Sequence, residues 1–376
     1  MQRRSFVRTL AATAAALTGA PLFAQDLKKI VLGQSAPLTG PAAQLGLQFQ
    51  RGARLMIDRL NARGGVNGRT LELVSLDDGY EPERCKANTE RLISQDVFAL
   101  FGYIGTPTSL AALPLATAAK VPFLAPFTGA QALREPFNRY VFHVRASYFD
   151  ETAKIVNQLF AIGMKKIAVF HQNDSYGQAG LTGVTRALEK LNSRPASTGT
   201  VERNSVDVAA AVKAIVPAQP EAIVQISAYK SCAAFIREAR KAGFGGQFCN
   251  VSFVGTQALA NELGADARGV VVSQVMPYPF APVSPLSGEF LQAISGSSFD
   301  VEANYSSIEG FVGAKVFAEG LRRAGPNPNR EGLVAGLESL REFDLGGFFV
   351  DFSPKKHVGS AFVDMTILTQ DGKVRR

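Results

Sequence analysis

The stretch 101–130, "FGYIGTPTSLAALPLATAAKVPFLAPFTGA", decides the fold. An apolar run closes at Phe101 and breaks into Gly-Tyr-Ile-Gly-Thr-Pro-Thr. Residues 107–119 then have helical character, and a second apolar run, "VPFLAP", stops at Pro-Phe-Thr-Gly. That is one β-α-β unit, which requires a parallel pair joined by a right-handed crossover. Both polar turns therefore fall at the carboxyl ends of neighbouring strands, where open parallel sheets bind ligands.

Working outward, apolar runs and helix-period stretches alternate through most of the chain. Upstream lie the strand "KIVLG", a helix over 46–63 with Phe49, Ala53, Met56, Ile57 and Leu60 on one face, the turn "RGGVNG", the strand "TLELVSL", and a helix over 82–95. The spacing of apolar residues, 3.6 against 2, separates these elements. A second series starts near 150. Its strands are "KKIAVFH", "ASTGTVE", "EAIVQIS", "QFCNVS" and "GVVVSQVM", with helices at 150–162, 176–192, 206–216 and 230–242. After the proline-rich "MPYPFAPVSPLSG" come helices at 285–295 and 303–323, then "GGFFVDFS" and a last strand, "SAFVDMTILT". The reading is an α/β protein with two Rossmann-like lobes built on parallel sheets.

Length and composition agree. The first 24 residues, with Arg3, Arg4 and Arg8 before an Ala-rich apolar run, read as a secretory signal cut after Ala24. Leu22 departs from the small residue favoured three positions before a cut, and an uncleaved anchor is the alternative. "RRSFVR" also suits twin-arginine export. Their removal leaves 352 residues, which calls for two domains. The net charge then falls from +8 to +5, with Lys and Arg scattered rather than clustered. No nucleic-acid surface and no membrane span in the mature chain are expected. The 46% hydrophobic content excludes disorder. Of three cysteines, Cys232 and Cys249 are the pair considered for a bridge. A helix descending from 232 to 242 spans about 15 Å, which works against the pairing.

Catalytic signatures are missing. There is no phosphate loop, dinucleotide fingerprint, C-x-x-C or H-E-x-x-H, and His143, His171 and His357 are far apart. The "NDSYG" segment lacks the first glycine of a nucleophile elbow. Asp77 and Asp78 are expected to end a strand and start a turn. No catalytic residue, metal or cofactor is expected, and an exported hydrolase is disfavoured. Binding chemistry remains. Thr106 stands as an N-cap before Pro107, where free N–H groups and the helix dipole suit a carboxylate. Tyr176 and Tyr229 follow strands of the second series and offer rings and hydroxyls to a cleft.

These segments resemble the leucine/isoleucine/valine-binding proteins, type I periplasmic solute-binding proteins of ABC importers. The likeness is carried by "IVLGQSAPLTGPAAQLGLQFQRGARLMIDRLNARGGVNGRTLELVSLDD", by "ALFGYIGTPTSLAALPLATAAKVPFLAP" and by "VFHQNDSYGQAG". The resemblance implies two lobes with three crossovers. Residues 25–146 and 278–358 form the N-terminal lobe, and 147–277 and 359–376 the C-terminal lobe. It implies a monomer that closes on a small carboxylate and docks on permease subunits. The expected ligand-binding residues are Tyr103, Gly105, Thr106, Phe127, Thr128, Gly129, Tyr148, Tyr176, Tyr229, Ser252 and Leu45. Amino-acid binders of the family carry an acid where Ser252 stands, and a second hydroxyl where Gly129 stands. A ligand without an α-amine is therefore favoured, with Asp150 or Glu309 as substitute acids if an amine is bound after all. An exported sensor subunit for a receptor kinase is the alternative role.

Overall fold

The computed structural model describes residues 29–376, so the basic and apolar leader lies outside the described residues. The first half of the chain runs β1 (Ile30–Ala36), α1 (Ala43–Asn61), β2 (Leu71–Asp77), α2 (Pro82–Ser94), β3 (Ala99–Phe101), α3 (Thr106–Ala118), β4 (Phe123–Leu124) and β5 (Val141–Phe142). The second series is α4 (Tyr148–Ala161), β6 (Ile167–Gln172), α5 (Ser175–Glu189), β7 (Thr198–Val201), α6 (Ala209–Ile215), β8 (Ala222–Ile226), α7 (Tyr229–Lys241), β9 (Gln247–Asn250), α8 (Thr256–Leu263) and β10 (Val271–Gln274). Then follow α9 (Pro285–Ser295), α10 (Tyr305–Arg323), α11 (Arg330–Glu338), β11 (Phe343–Asp344), β12 (Phe349–Val350), β13 (Asp364–Leu368) and β14 (Val374–Arg375).

Two large sheets result. The first is wholly parallel, in the order β2-β1-β3-β4-β5. The second runs β14-β13-β10-β9-β8-β6-β7, parallel except where the tail strands β13 and β14 add antiparallel. The β3-α3-β4 unit is the 101–130 stretch, and its strands are neighbours as read. The central strands are buried on both faces: every residue of β6 and of β8 is buried, as helices on both sides demand. Helix α10 packs on α1 and α11, so the helices after the second series return to the first sheet. The last strand instead joins the second sheet.

The chain passes between the sheets three times, near 143–147, 275–280 and 357–363. The first and third passages run side by side. His143 N–H donates to the His357 carbonyl at 2.8 Å, and Gly359 N–H to the His143 carbonyl at 2.8 Å. The His357 ring stacks on Phe142 with centroids 3.8 Å apart.

All three cysteines are buried and free, so the Cys232–Cys249 bridge does not form. Cys232 Sγ points back to the Ser227 carbonyl at 3.4 Å, inside its own strand–helix turn. Among the described residues no helix is long and apolar enough to cross a membrane, and no His/Cys/Asp/Glu cluster suits a metal.

Candidate functional site

The carboxyl ends of the two sheets face one another, and the loops leaving those ends meet. On the first sheet, Asp77 ends β2 and ties the "PLTG" loop. Its carboxylate accepts from the Leu38 N–H at 2.8 Å, the Thr39 hydroxyl at 2.6 Å and the Gly79 N–H at 3.0 Å. Burial would raise its pKa, yet these bonds and Arg84 hold it well below the usual range. Asp78 accepts from Ser35 at 2.7 Å and from the Tyr80 N–H at 2.8 Å. The pair therefore does build a turn, and the turn delivers Tyr80, fully buried, to the cleft.

Helix α3 opens differently from expectation. Gly105, at φ +96°, holds the cap position and no side chain caps the helix. Thr106 is the first helical residue, which frees its hydroxyl to meet Thr128 Oγ1 at 2.6 Å. Thr128 in turn bonds the Ala130 N–H at 3.2 Å. The uncapped start leaves backbone donors at the same spot. At Gly129 an added Cβ would stand 2.6 Å from the Tyr148 nitrogen and 2.7 Å from its ring. Glycine is therefore what lets Tyr148 lie against this loop.

From the second sheet come Tyr148, Tyr176 and Phe253. The Tyr148 and Tyr176 centroids are 5.3 Å apart, and Tyr176 lies 4.5 Å from Phe253. Phe253 reaches the first lobe, 5.7 Å from Phe127 and 5.8 Å from Tyr80. Each of these rings is at most 1% exposed. No hydrogen bond of normal geometry reaches the Tyr148 or Tyr176 hydroxyl among the described residues, although the Thr128 hydroxyl stands beside that of Tyr148. Burial pushes the Tyr148 hydroxyl up to about 12 against the pull of Arg145 and Thr128, so it stays a neutral donor at neutral pH.

Beside the rings sits a group of buried charges. Arg145, in the first passage between sheets, is 1% exposed. Its Nε lies 3.1 Å from Glu309 Oε1, and its Nη2 donates to Ser252 Oγ at 2.7 Å and to Glu309 Oε2 at 3.3 Å. Its guanidinium carbon stands 4.4 Å from the Phe127 centroid, in the cation–π range. Glu151 accepts from the Ser252 N–H at 2.7 Å, the Ser252 hydroxyl at 3.1 Å and the Ser273 hydroxyl at 2.6 Å. Burial raises Glu309 to about 7, with Arg145 opposing it and Glu151 adding to it. Burial also raises Glu151, opposed chiefly by Arg145. Arg134 anchors the frame by donating to the carbonyls of Thr128, Ala130, Arg145 and Ala146 at 3.1–3.4 Å.

Most of the expected residues meet here: Gly105, Thr106, Phe127, Thr128, Gly129, Tyr148, Tyr176 and Ser252. Leu45 lies at the edge, against Gly255 of the opposite lobe. Tyr229 stands apart from the rings, beside the Gln44 backbone across the cleft. Tyr103 is turned to the other face of its sheet. Its hydroxyl meets Thr89 Oγ1 at 3.1 Å, and its ring packs on Phe123 at 4.8 Å. Residues 103 and 106 follow one strand, but the turn at Gly105 sends them opposite ways. Asp150 is spent on the cap of α4, where it accepts from Ser147. The sequence reading missed Tyr80, Arg145, Glu151 and Phe253. Phe253 had a signal, an aromatic directly after the strand-end Ser252. Glu151 and Arg145 had none, because nothing local marks a charge for burial.

The comparisons fit this geometry. Residues 29–373 match the model of the periplasmic binding protein family. The chain belongs to that family. The family is one of solute-binding proteins, and this member shares the leucine/isoleucine/valine-binding type of two-lobed fold. It is similar to a solved structure of a possible leucine/isoleucine/valine-binding protein from Rhodopirellula baltica SH 1. Their identity is 34% over 93% of this chain and 96% of the other, with a TM-score of 0.89. A substrate-binding periplasmic protein from Ralstonia solanacearum is also 34% identical, over 92% of this chain and 99% of its own, with a TM-score of 0.87. A leucine-, isoleucine-, valine-, threonine- and alanine-binding protein of Pseudomonas aeruginosa is 24% identical over 90% of both chains.

Proposed function

We propose that this periplasmic binding protein captures a small carboxylate with an apolar or aromatic body and no α-amine, and delivers it to the permease of an ABC importer. The observation that carries the reading is the state of the acids beside the cleft. Ser252 stands where amino-acid binders of the family carry their carboxylate. Two acids are buried nearby, Glu309 paired with Arg145 and Glu151 held by the uncharged Ser252 and Ser273, and the two buried guanidiniums of Arg145 and Arg134 match their charge. An ammonium placed there finds no free counter-charge, and burying it so is costly. The ligand's carboxylate lies at Thr106 and Thr128, against the uncapped start of α3, and the rings of Tyr148, Tyr176, Phe127 and Phe253 enclose its body.

The remaining parts of the reading rest on the family match. The chain is exported to the periplasm and acts as a monomer. Its lobes comprise 25–146 with 278–358, and 147–277 with 359–376. Closure about the three passages both buries the ligand and forms the surface that docks on the permease.

A thermal-shift and calorimetric series of amino acids, oxo acids, aromatic acids and dicarboxylates tests the ligand class. A ligand that binds only the folded chain raises its melting temperature by mass action. Amine-free acids are expected to bind more tightly than their amino counterparts. Thr106→Val is expected to weaken the best carboxylate at least several-fold. Micromolar binding of leucine with none for its deamino analogue, or unchanged affinity in Thr106→Val, overturns the assignment.

A further inference from the structure

Arg145 is only partly used by the interactions that hold it. Its Nε and Nη2 face Glu309 and Ser252, but Nη1 is buried and has no partner among the described residues. A buried guanidinium N–H without an acceptor is costly, and native chains rarely leave one. Two more unpartnered donors, the Tyr148 and Tyr176 hydroxyls, belong to the same cluster. Phe127, which lies under the guanidinium, also closes the aromatic wall through Phe253. Three buried donors without a hydrogen-bond partner among the described residues thus belong to one cluster of rings around Phe127.

The charges around Arg145 restrict what can answer those donors. In its ionised form Glu309 balances Arg145 face to face. A second anion would leave the buried group with excess negative charge next to Glu151. An ammonium has no acceptor to give. An uncharged oxygen satisfies the donors and leaves the balance as it is. We propose that Arg145 is the specificity-determining residue of the cleft: its Nη1, with the Tyr148 and Tyr176 hydroxyls, takes a carbonyl or hydroxyl oxygen of the ligand and excludes an amine. The ligand class is then an oxo- or hydroxy-substituted carboxylic acid with an apolar body. This rests on the carboxylate reading above.

Calorimetry on two matched sets tests it: 4-methyl-2-oxopentanoate, 4-methylpentanoate and leucine, and phenylpyruvate, 3-phenylpropanoate and phenylalanine. In at least one set the oxo acid is expected to bind ten-fold or more tightly than the unsubstituted acid, with the amino acid weakest. Arg145→Met should bring the oxo acid within about three-fold of the unsubstituted acid measured on the same variant. Because that variant strands Glu309, the pair Arg145→Met with Glu309→Gln provides a charge-balanced scaffold for the same measurement. Equal binding of oxo and unsubstituted acids by the wild type, or an oxo preference that survives in the double variant, overturns the role of Arg145 and leaves the carboxylate reading standing. Tightest binding of the amino acid, or no binding of any of the six, overturns both.

Discussion

Glu309 shows how one buried residue couples the site to stability. Burial raises its carboxyl from 4.5 to about 7. The folded chain therefore holds this proton over a range in which the unfolded chain has lost it. Where the folded state binds more protons, stability falls as pH rises. The loss begins near pH 4.5 and is complete above about pH 7. His143 and His357 act in the opposite sense, since burial lowers both and the unfolded chain binds their protons first. Wild type alone therefore mixes the two effects. The difference between wild type and Glu309→Gln isolates the acid. Denaturant titrations at pH 5, 6 and 7.5 should find the variant gaining relative to wild type as pH rises. A difference that does not change with pH would remove Glu309 as a buried titrating group.

At the scale of elements, the α1–α10 contact is what holds the late helices to the first sheet. The two helices meet backbone to backbone: an added Cβ at Gly52 would lie 1.8 Å from the Ser307 carbonyl oxygen, and one at Gly310 would lie 2.0 Å from that of Phe49. A neighbouring backbone cannot rotate away as a side chain can. Gly52→Ala should destabilise the chain by about 1–3 kcal/mol, the usual cost of overpacking, read as a lower urea midpoint. The main elements were legible because their signals are local. Apolar period, capping residues and Gly-rich turns placed α1, α2, α3, β6, β8 and α7 to within about three residues of where they form. Short elements were missed: β5, α8, α11 and β14 hold two to nine residues each, too few to show a period. The cap of α3 was misplaced by one residue because Thr and Gly both suit that position. Only the approach of Tyr80 to Gly105 decides between them.

At the scale of the molecule, the lobes are latched at the mouth of the cleft. Arg203 of the second lobe meets Glu81 of the first at 2.9 Å and its own lobe's Asp174 at 3.4 Å. Asn204 adds bonds to the Gly79 carbonyl at 3.0 Å and to Glu81 at 2.8 Å, and Gln172 reaches the Tyr80 hydroxyl at 3.3 Å. Arg203, Asn204 and Glu81 are partly exposed, so each of their pairs contributes at most about 1 kcal/mol. Because the latch exists only when the lobes meet, its loss should appear in ligand affinity. Arg203→Ala is expected to weaken binding roughly two- to five-fold, mostly by faster release, and less so at high salt. Unchanged dissociation kinetics at low ionic strength would rule the latch out.

The sequence by itself determined the two α/β series, the parallel strands with the turns at their carboxyl ends, and the hydroxyls at Thr106 and Thr128. Each of these follows from residues close together in the chain, whose pattern the backbone must obey. Tertiary structure alone decided the side that Tyr103 faces and the ring cluster that joins Tyr80 to Phe253. It also decided the joining of Arg145 to Ser252 and Glu309, which lie 107 and 164 residues further along the chain. A charge becomes buried or exposed only when distant segments close over it. That is why the cation beside the cleft, to which we assign the choice of ligand, could not be read before the lobes were in place.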